Sequence, residues 1–389
     1  MPLGTLQRRQ KHGPVTTMTP MTRRAFIQRL SQRALTAAAA WTVGGPAAVP
    51  LTAMAALDAG GSNDTWQPLN GQSLKDLSLS RAHHGKQRFS NPFTRIKKGS
   101  LWPVLRWKLF ARNHFREYYG DEPTRTVRLD WQGVRDHQGL SVTFVKHAAL
   151  FIKDGPNTFL IDPVFGPIFP FITDFSPLAD GTAGMPHPDR VLITHGHYDH
   201  LDLDSLKQLG SDTEVISPLG YDDVFAEVGT TRRSQLDWYD DVEVNGTRFT
   251  LLPSNHWTMR NPVIGPNTSL WGSYLMRSRQ GAIIYICGDS GYFDGFEQIG
   301  QTADIDLAII NMGAYEPRWF MASSHMNPAE TVRAFTELGA RRLMITHWGT
   351  FRLGDEPVHF PPMDIQREMA ANGLTDRLLT VSHGQTLFL

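Results

Sequence analysis

The stretch Thr194-His195-Gly196-His197-Tyr198-Asp199-His200 puts four metal-ligating side chains into six consecutive residues. Immediately upstream, Arg190-Val191-Leu192-Ile193-Thr194 reads as a short β-branched strand that feeds the loop. A strand that ends in ligands holds them more rigidly than a free loop could. Half a site needs its other half, and three further apolar strands end in a residue of ligand type. Leu251–Trp257 presents His256, Ile284–Ser290 presents Asp289, and Met344–Gly349 presents His347. Each alone would pass as an ordinary surface or supporting residue. Together they give five histidines and two aspartates at strand ends. Two adjacent divalent cations need such a set, with imidazole nitrogens that suit zinc and carboxylates that offset charge and bridge.

Composition narrows the setting. Lys+Arg and Asp+Glu are equal at 38 each, so no overall field favours nucleic acid. The 389 residues allow one large domain or two ordinary ones. Cys287 is the only cysteine, which excludes an intramolecular disulfide and leaves location to be argued from a targeting signal. Thr22-Arg23-Arg24-Ala25-Phe26-Ile27 resembles a twin-arginine export motif. An uncharged Ala- and Thr-rich stretch follows from Ala34 to Ala56, with Ala53-Met54-Ala55 as a small-residue cleavage pattern. The expectation is a periplasmic or other extracytoplasmic protein, membrane-associated if the run stays as an anchor. Met21 is an alternative start. Such a route suits a protein that folds and takes up its cofactor before export.

Residues 1–55 are therefore read as a leader and residues 56–87 as a flexible polar segment. Residues 88–389 are read as one domain. At its start, Trp102, Trp107, Phe110 and Phe115 alternate with Lys97, Lys98, Arg106, Lys108 and Arg112. Aromatics mixed with cations make Arg88–Arg116 a candidate membrane contact, although the same aromatics can pack inward. From Leu140 onward short strands recur: 140–145, 158–161, 191–194, 214–217, 248–253, 282–287, 307–311, 343–346 and 378–382. Helical patterns interrupt them at 327–338 and 363–372. Mixed strands and helices over this length favour a single α/β domain of layered sheets and helices.

The motif His-x-His-x-Asp-His, followed by distant His256, Asp289 and His347, resembles the metallo-β-lactamase superfamily. "HYDHLD", "PSNHW", "GDSGYF", "GAYEPRWFM", "HMNPAE" and "HWGTF" resemble, within it, the N-acylphosphatidylethanolamine-hydrolysing phospholipase D family. The resemblance runs from about Arg88 to the C-terminus and implies an αββα sandwich, two β-sheets flanked by helices. It implies that His195, His197 and His256 bind one cation, that Asp199, His200 and His347 bind a second, and that Asp289 bridges them. Asp162 would support the metal loop without binding metal. His325, in "HMNPAE", would touch the substrate phosphate or leaving oxygen, and Asp199 and Asp289 would orient the attacking water. His147 stands in Lys146-His147-Ala148-Ala149 where the family has Gly-His-Ala-Thr, which leaves its role open.

The implied cofactor is two divalent metal ions, zinc first, with manganese and iron sharing these ligands. The implied substrate is a phospholipid or other phosphodiester, cleaved to phosphatidic acid and an N-acylethanolamine. The implied assembly is a homodimer. Three alternatives stay open on sequence: a lactonase or other ester hydrolase on this scaffold, a di-iron redox protein, and a non-catalytic metal-binding envelope protein.

Overall fold

Strands β1 (Leu140–Lys146), β3 (Asn157–Ile161), β10 (Ile283–Ile286) and β11 (Leu307–Asn311) are buried at every position. Strands covered on both faces have no solvent side: β10 and β11 are near-continuous apolar runs, whereas β1 and β3 also bury polar residues such as Ser141, Thr143 and Asn157. The computed structural model describes residues 71–93, 107, 111–261 and 263–389, all within one unit, Thr65–Leu389. The twin-arginine motif, the cleavage pattern and most of the aromatic–basic stretch after Phe93 lie outside the described residues.

The remaining strands are β2 (Ala149–Asp154), β4 (Arg190–Leu192), β5 (Glu214–Pro218), β6 (Arg233–Leu236), β7 (Asp241–Val244), β8 (Thr247–Leu252), β9 (Ser273–Arg277), β12 (Arg342–Thr346), β13 (Leu378–Leu379) and β14 (Thr386–Phe388). They form two seven-stranded sheets, ordered β14-β1-β2-β3-β4-β5-β6 and β13-β12-β11-β10-β9-β8-β7. Each sheet is antiparallel over half its width and parallel over the other half. Between the sheets Val142, Phe144, Phe159, Phe249, Tyr274 and Ile284 form a buried hydrophobic core.

Helices cover the two outer faces. Trp131, Phe151, Leu160, Leu206 and Phe225 join the first sheet to α2 (Trp131–Asp136), α3 (Leu203–Leu209) and α4 (Asp222–Glu227). Tyr285, Phe296, Phe335, Ile345 and Ile365 join the second sheet to α5 (Gly295–Gly300), α7 (Pro328–Glu337) and α8 (Phe360–Ala371). A short α6 (Arg318–Met321) precedes α7. The expected αββα sandwich is thus the observed fold.

Residues 71–87 are the described part of the segment 56–87 expected to be flexible. They contain helix α1 (Leu74–Leu79), capped by the Ser73 hydroxyl. Leu74 is fully buried in the same cluster as Phe296 and Ile299, and its N–H donates to Gln298 Oε1 at 2.7 Å. His83 and His84 each meet one oxygen of Asp237, at 2.7 and 2.8 Å. Apolar burial and these hydrogen bonds tie the polar stretch to the domain. Phe93 and Trp107, from the aromatic–basic region, also pack inward; Trp107 donates to Asp355 Oδ2 at 2.9 Å.

The pairing directions run β1, β3 and β4 one way in the first sheet and β8, β10 and β12 one way in the second. Their C-terminal ends carry His147, Asp162, Thr194–His200, His256, Asp289 and His347. The sheets therefore deliver every candidate ligand to strand termini, where backbone turns can aim side chains.

Candidate metal centre

His195 Nε2 lies 2.9 Å from His197 Nδ1, and His256 Nε2 lies 3.2 Å from the same atom. A tetrahedral cation with ligand bonds of about 2.0–2.1 Å would separate its nitrogen ligands by about 3.3 Å. The three rings are spaced close to that. Asp289 Oδ2 completes the group, 3.7 Å from both His195 Nε2 and His256 Nε2.

A second group adjoins it. Asp199 Oδ2 is 3.2 Å from His347 Nε2 and 3.6 Å from His200 Nε2. Asp289 reaches this group too, with Oδ2 3.3 Å from His200 Nε2 and Oδ1 3.5 Å from His347 Nε2. The structure brings all seven predicted ligands together, with Asp289 between the two sets. Both sets are among the clusters whose donor atoms converge tightly enough to hold a metal ion.

Surrounding hydrogen bonds decide which face each ring turns inward. Asp162 Oδ1 accepts the Thr194 N–H at 2.7 Å, and its Oδ2 accepts the Thr194 hydroxyl at 2.6 Å. The Thr194 hydroxyl proton is thereby committed, so its oxygen accepts from His195 Nδ1 at 3.0 Å. His200 Nδ1 donates to Asp162 Oδ2 at 2.8 Å, and His256 Nδ1 donates to the Ser324 carbonyl at 3.1 Å. All three histidines then carry their proton on Nδ1 and point an Nε2 lone pair at the centre, as ligation requires. His200 Nε2 is buried without a hydrogen-bond partner among the described residues. Asn311 Nδ2 donates to Asp289 Oδ1 at 2.9 Å, and Asn311 Oδ1 accepts the Thr346 hydroxyl at 2.6 Å.

Electrostatics agree with a cation-binding role. Burial, reinforced by neighbouring imidazoles, holds His195 well below the ordinary histidine range, and burial likewise lowers His256. Neutral imidazole is the form that binds metal. Burial opposes ionisation of Asp199 and Asp289, but His200 and the other rings outweigh it and keep both carboxyls well below their usual value. Burial alone would depress His200; Asp289 and Asp199 override it and raise His200 well above normal. That rise reports the negative potential at the centre. The donor set, its tautomers and its charge fit two divalent cations.

His325 sits at the edge of the centre, its Nδ1 3.9 Å from Asp289 Oδ2 and its ring 5.5 Å from His256. The segment Gly313–Met321 holds it there: Arg318 Nη1 donates to the carbonyls of Tyr315 and His325, each at 2.9 Å. Arg318 Nη2 pairs with Glu330 at 2.6 Å. Cys287 is fully buried beside this machinery and burial pushes its thiol up to about 12, so it is not a nucleophile. His147, left without a role by its sequence context, belongs to the second cluster. Its sequence context carries no signal that could have found it, since β1 mixes apolar with polar residues and ends in Lys146.

A beta-lactamase superfamily domain model matches residues 157–348. Among curated proteins, an N-acyl-phosphatidylethanolamine-hydrolyzing phospholipase D of Caenorhabditis elegans is 31% identical over 285 residues, covering 68% of this chain and 79% of that protein. A mitochondrial protein of the same name in Saccharomyces cerevisiae is 29% identical over 259 residues, covering 64% of this chain and 54% of the yeast protein. Among solved structures, a possible metal-dependent hydrolase of Veillonella parvula matches with a TM-score of 0.54 at 17% identity, covering 65% of this chain and all of that one. At that identity the likeness speaks to the fold, and it agrees with the two-sheet topology above. The chain is a metal-dependent hydrolase of the metallo-β-lactamase superfamily and belongs there to the N-acylphosphatidylethanolamine-hydrolysing phospholipase D family.

Proposed function

We propose that the protein is a phospholipase D-type phosphodiesterase that cleaves N-acylphosphatidylethanolamine, or a closely related lipid, to phosphatidic acid and an N-acylethanolamine. The observation that carries this reading is the 31% identity to the worm enzyme over 285 residues, supported by the convergence of His195, His197, Asp199, His200, His256, Asp289 and His347 in one centre with His325 at its edge. His195, His197 and His256 would hold one cation, and Asp199, His200 and His347 the other, with Asp289 shared. A two-cation site supplies an acidified water and Lewis-acid stabilisation of phosphoryl oxygens. Asp199 and Asp289, ionised by their histidine neighbours, accept hydrogen bonds from the attacking water and orient it. His325, on the open side of Asp289, donates to the phosphate or the leaving oxygen. No covalent enzyme intermediate is needed, which agrees with the inert state of Cys287.

Zinc is the first choice of metal, with manganese and iron accepted by the same donors. Twin-arginine export, membrane contact through Arg88–Arg116 and a homodimer belong to the same proposal. Among the described residues no helix is long and apolar enough to cross a membrane. The test incubates the zinc-loaded protein with vesicles containing N-acylphosphatidylethanolamine and follows products by mass spectrometry, with Asp289→Asn as control. Release of N-acylethanolamine that the control abolishes supports the reading. Two bound cations per chain without release, but with turnover of lactones, would move the substrate to carboxyl esters.

A further inference from the structure

We propose that His147 is a positioning residue of the metal centre: its Nε2–H holds Asp199 Oδ2 in place between His200 and His347. His147 is fully buried, and its Nε2 lies 3.0 Å from Asp199 Oδ2, the same oxygen that faces His347 Nε2 at 3.2 Å. Nδ1 is buried and has no hydrogen-bond partner among the described residues. A proton on Nδ1 would leave a donor unsatisfied and put a lone pair against a carboxylate. With the proton on Nε2, the one strong acceptor in reach is used.

The backbone is shaped to bring the ring there. β1 carries a register shift between Phe144 and Lys146 where it pairs with β2. Directly after it His147 adopts a φ of +50°, in the left-handed region. That conformation is uncommon for a side-chain-bearing residue and is held by specific partners. The His147 N–H donates to Thr350 Oγ1 at 2.9 Å, and its carbonyl accepts the His347 N–H at 2.7 Å. His147 is therefore clasped to the strand end that carries a ligand, with the two rings 4.1 Å apart. Phe351 closes the other side, ring to ring at 5.0 Å. A carboxylate ligand bound by an oriented donor loses less freedom when the cation arrives, and such partners contribute about 10–100-fold in metal affinity.

The test is metal affinity, so it is independent of the substrate proposed above. The full-length protein is titrated with zinc against a competing chelator and fitted to two sites. His147→Phe removes the donor and keeps the ring. His147→Gln returns an N–H at similar reach. The expectation is a roughly 10–100-fold weaker second site in the Phe variant, an unchanged first site, and clear recovery in the Gln variant. In an Asp199→Ala background His147→Phe should have no further effect on zinc affinity. Unchanged affinity of both sites in the Phe variant would overturn the proposal. So would equal weakening of both sites together with a lower melting temperature of the metal-free protein, or a Gln variant no better than Phe. If the Phe variant does not fold, His147→Ala takes its place in the same comparisons.

Discussion

At the scale of the residue, the centre is governed by groups one bond removed from the cations. Asp162 is the clearest, since one buried carboxylate fixes both the Thr194 hydroxyl and the His200 ring. Burial raises its own carboxyl above the usual range, so its three hydrogen bonds are what keep it useful as an acceptor. Asp162→Asn would set an amide N–H against a donor, and metal affinity should fall about 10–100-fold, read as zinc retained after dialysis against chelator. His325→Ala should behave in the opposite way. Zinc content should stay at the wild-type level while turnover of the lipid falls on the order of 10²-fold or more; loss of zinc from that variant would place His325 among the ligands. The seven candidate ligands stood out in the sequence because each is a ligand-type residue in or just after the end of a strand. Thr194 and Asn311 did not, since a threonine or asparagine at a strand end is ordinary until its partner is known. His147 depends on a bulge and on Asp199, 52 residues away, and neither leaves a local signature.

At the scale of the element, the approach to His325 is set by the start of α7. Asn327 accepts the Glu330 N–H at 2.9 Å while Glu330 accepts the Asn327 N–H at 3.0 Å, a reciprocal cap, and Pro328 occupies the first turn. Glu330 also anchors Arg318, so one cap couples the helix to the segment that carries His325. Asn327→Ala should lower unfolding free energy by about 1 kcal/mol, measured by denaturant titration, with zinc content unchanged. The cap and the apolar stripe behind it made 327–338 readable as a helix. Buried strands such as 307–311 were readable for the same reason: their apolar runs are uninterrupted. The edge strands β6, β7 and β14 were not, because they are short and largely half-exposed or exposed. The expected strand 378–382 stops at Leu379, where its pairing with β12 ends. The chain then leaves the second sheet, and β14 pairs with β1 of the first.

At the scale of the whole molecule, burying so many neutral histidines makes the metal-free fold acid-sensitive. Burial holds His147 down to about 3 and His383 down to about 4, against an ordinary value of 6.5. The unfolded chain binds those protons first as the pH falls. The stability these groups contribute is therefore complete above about 6.5 and is lost as pH drops through their folded values. His200, raised by Asp289 and Asp199, works in the opposite direction and softens the loss. Asp199 and Asp289, held low by the rings around them, add a further loss below the ordinary carboxylate value of 3.8. Bound cations would mask the behaviour of the central rings, so the clean probe is His383, whose Nε2 donates to the Trp348 carbonyl at 2.9 Å. Its ring packs 4.6 Å from both Phe144 and Trp348, and His383→Phe keeps most of that contact while removing the titrating group. Urea unfolding of the chelator-treated protein at pH 7, 5.5 and 4.5 should show wild type losing stability at each step. The variant should begin less stable, for want of the hydrogen bond, and lose less between pH 7 and 4.5. Parallel curves for the two proteins would mean that His383 takes up its proton equally in the folded and unfolded chain, and the acid limb would then belong to the other buried histidines.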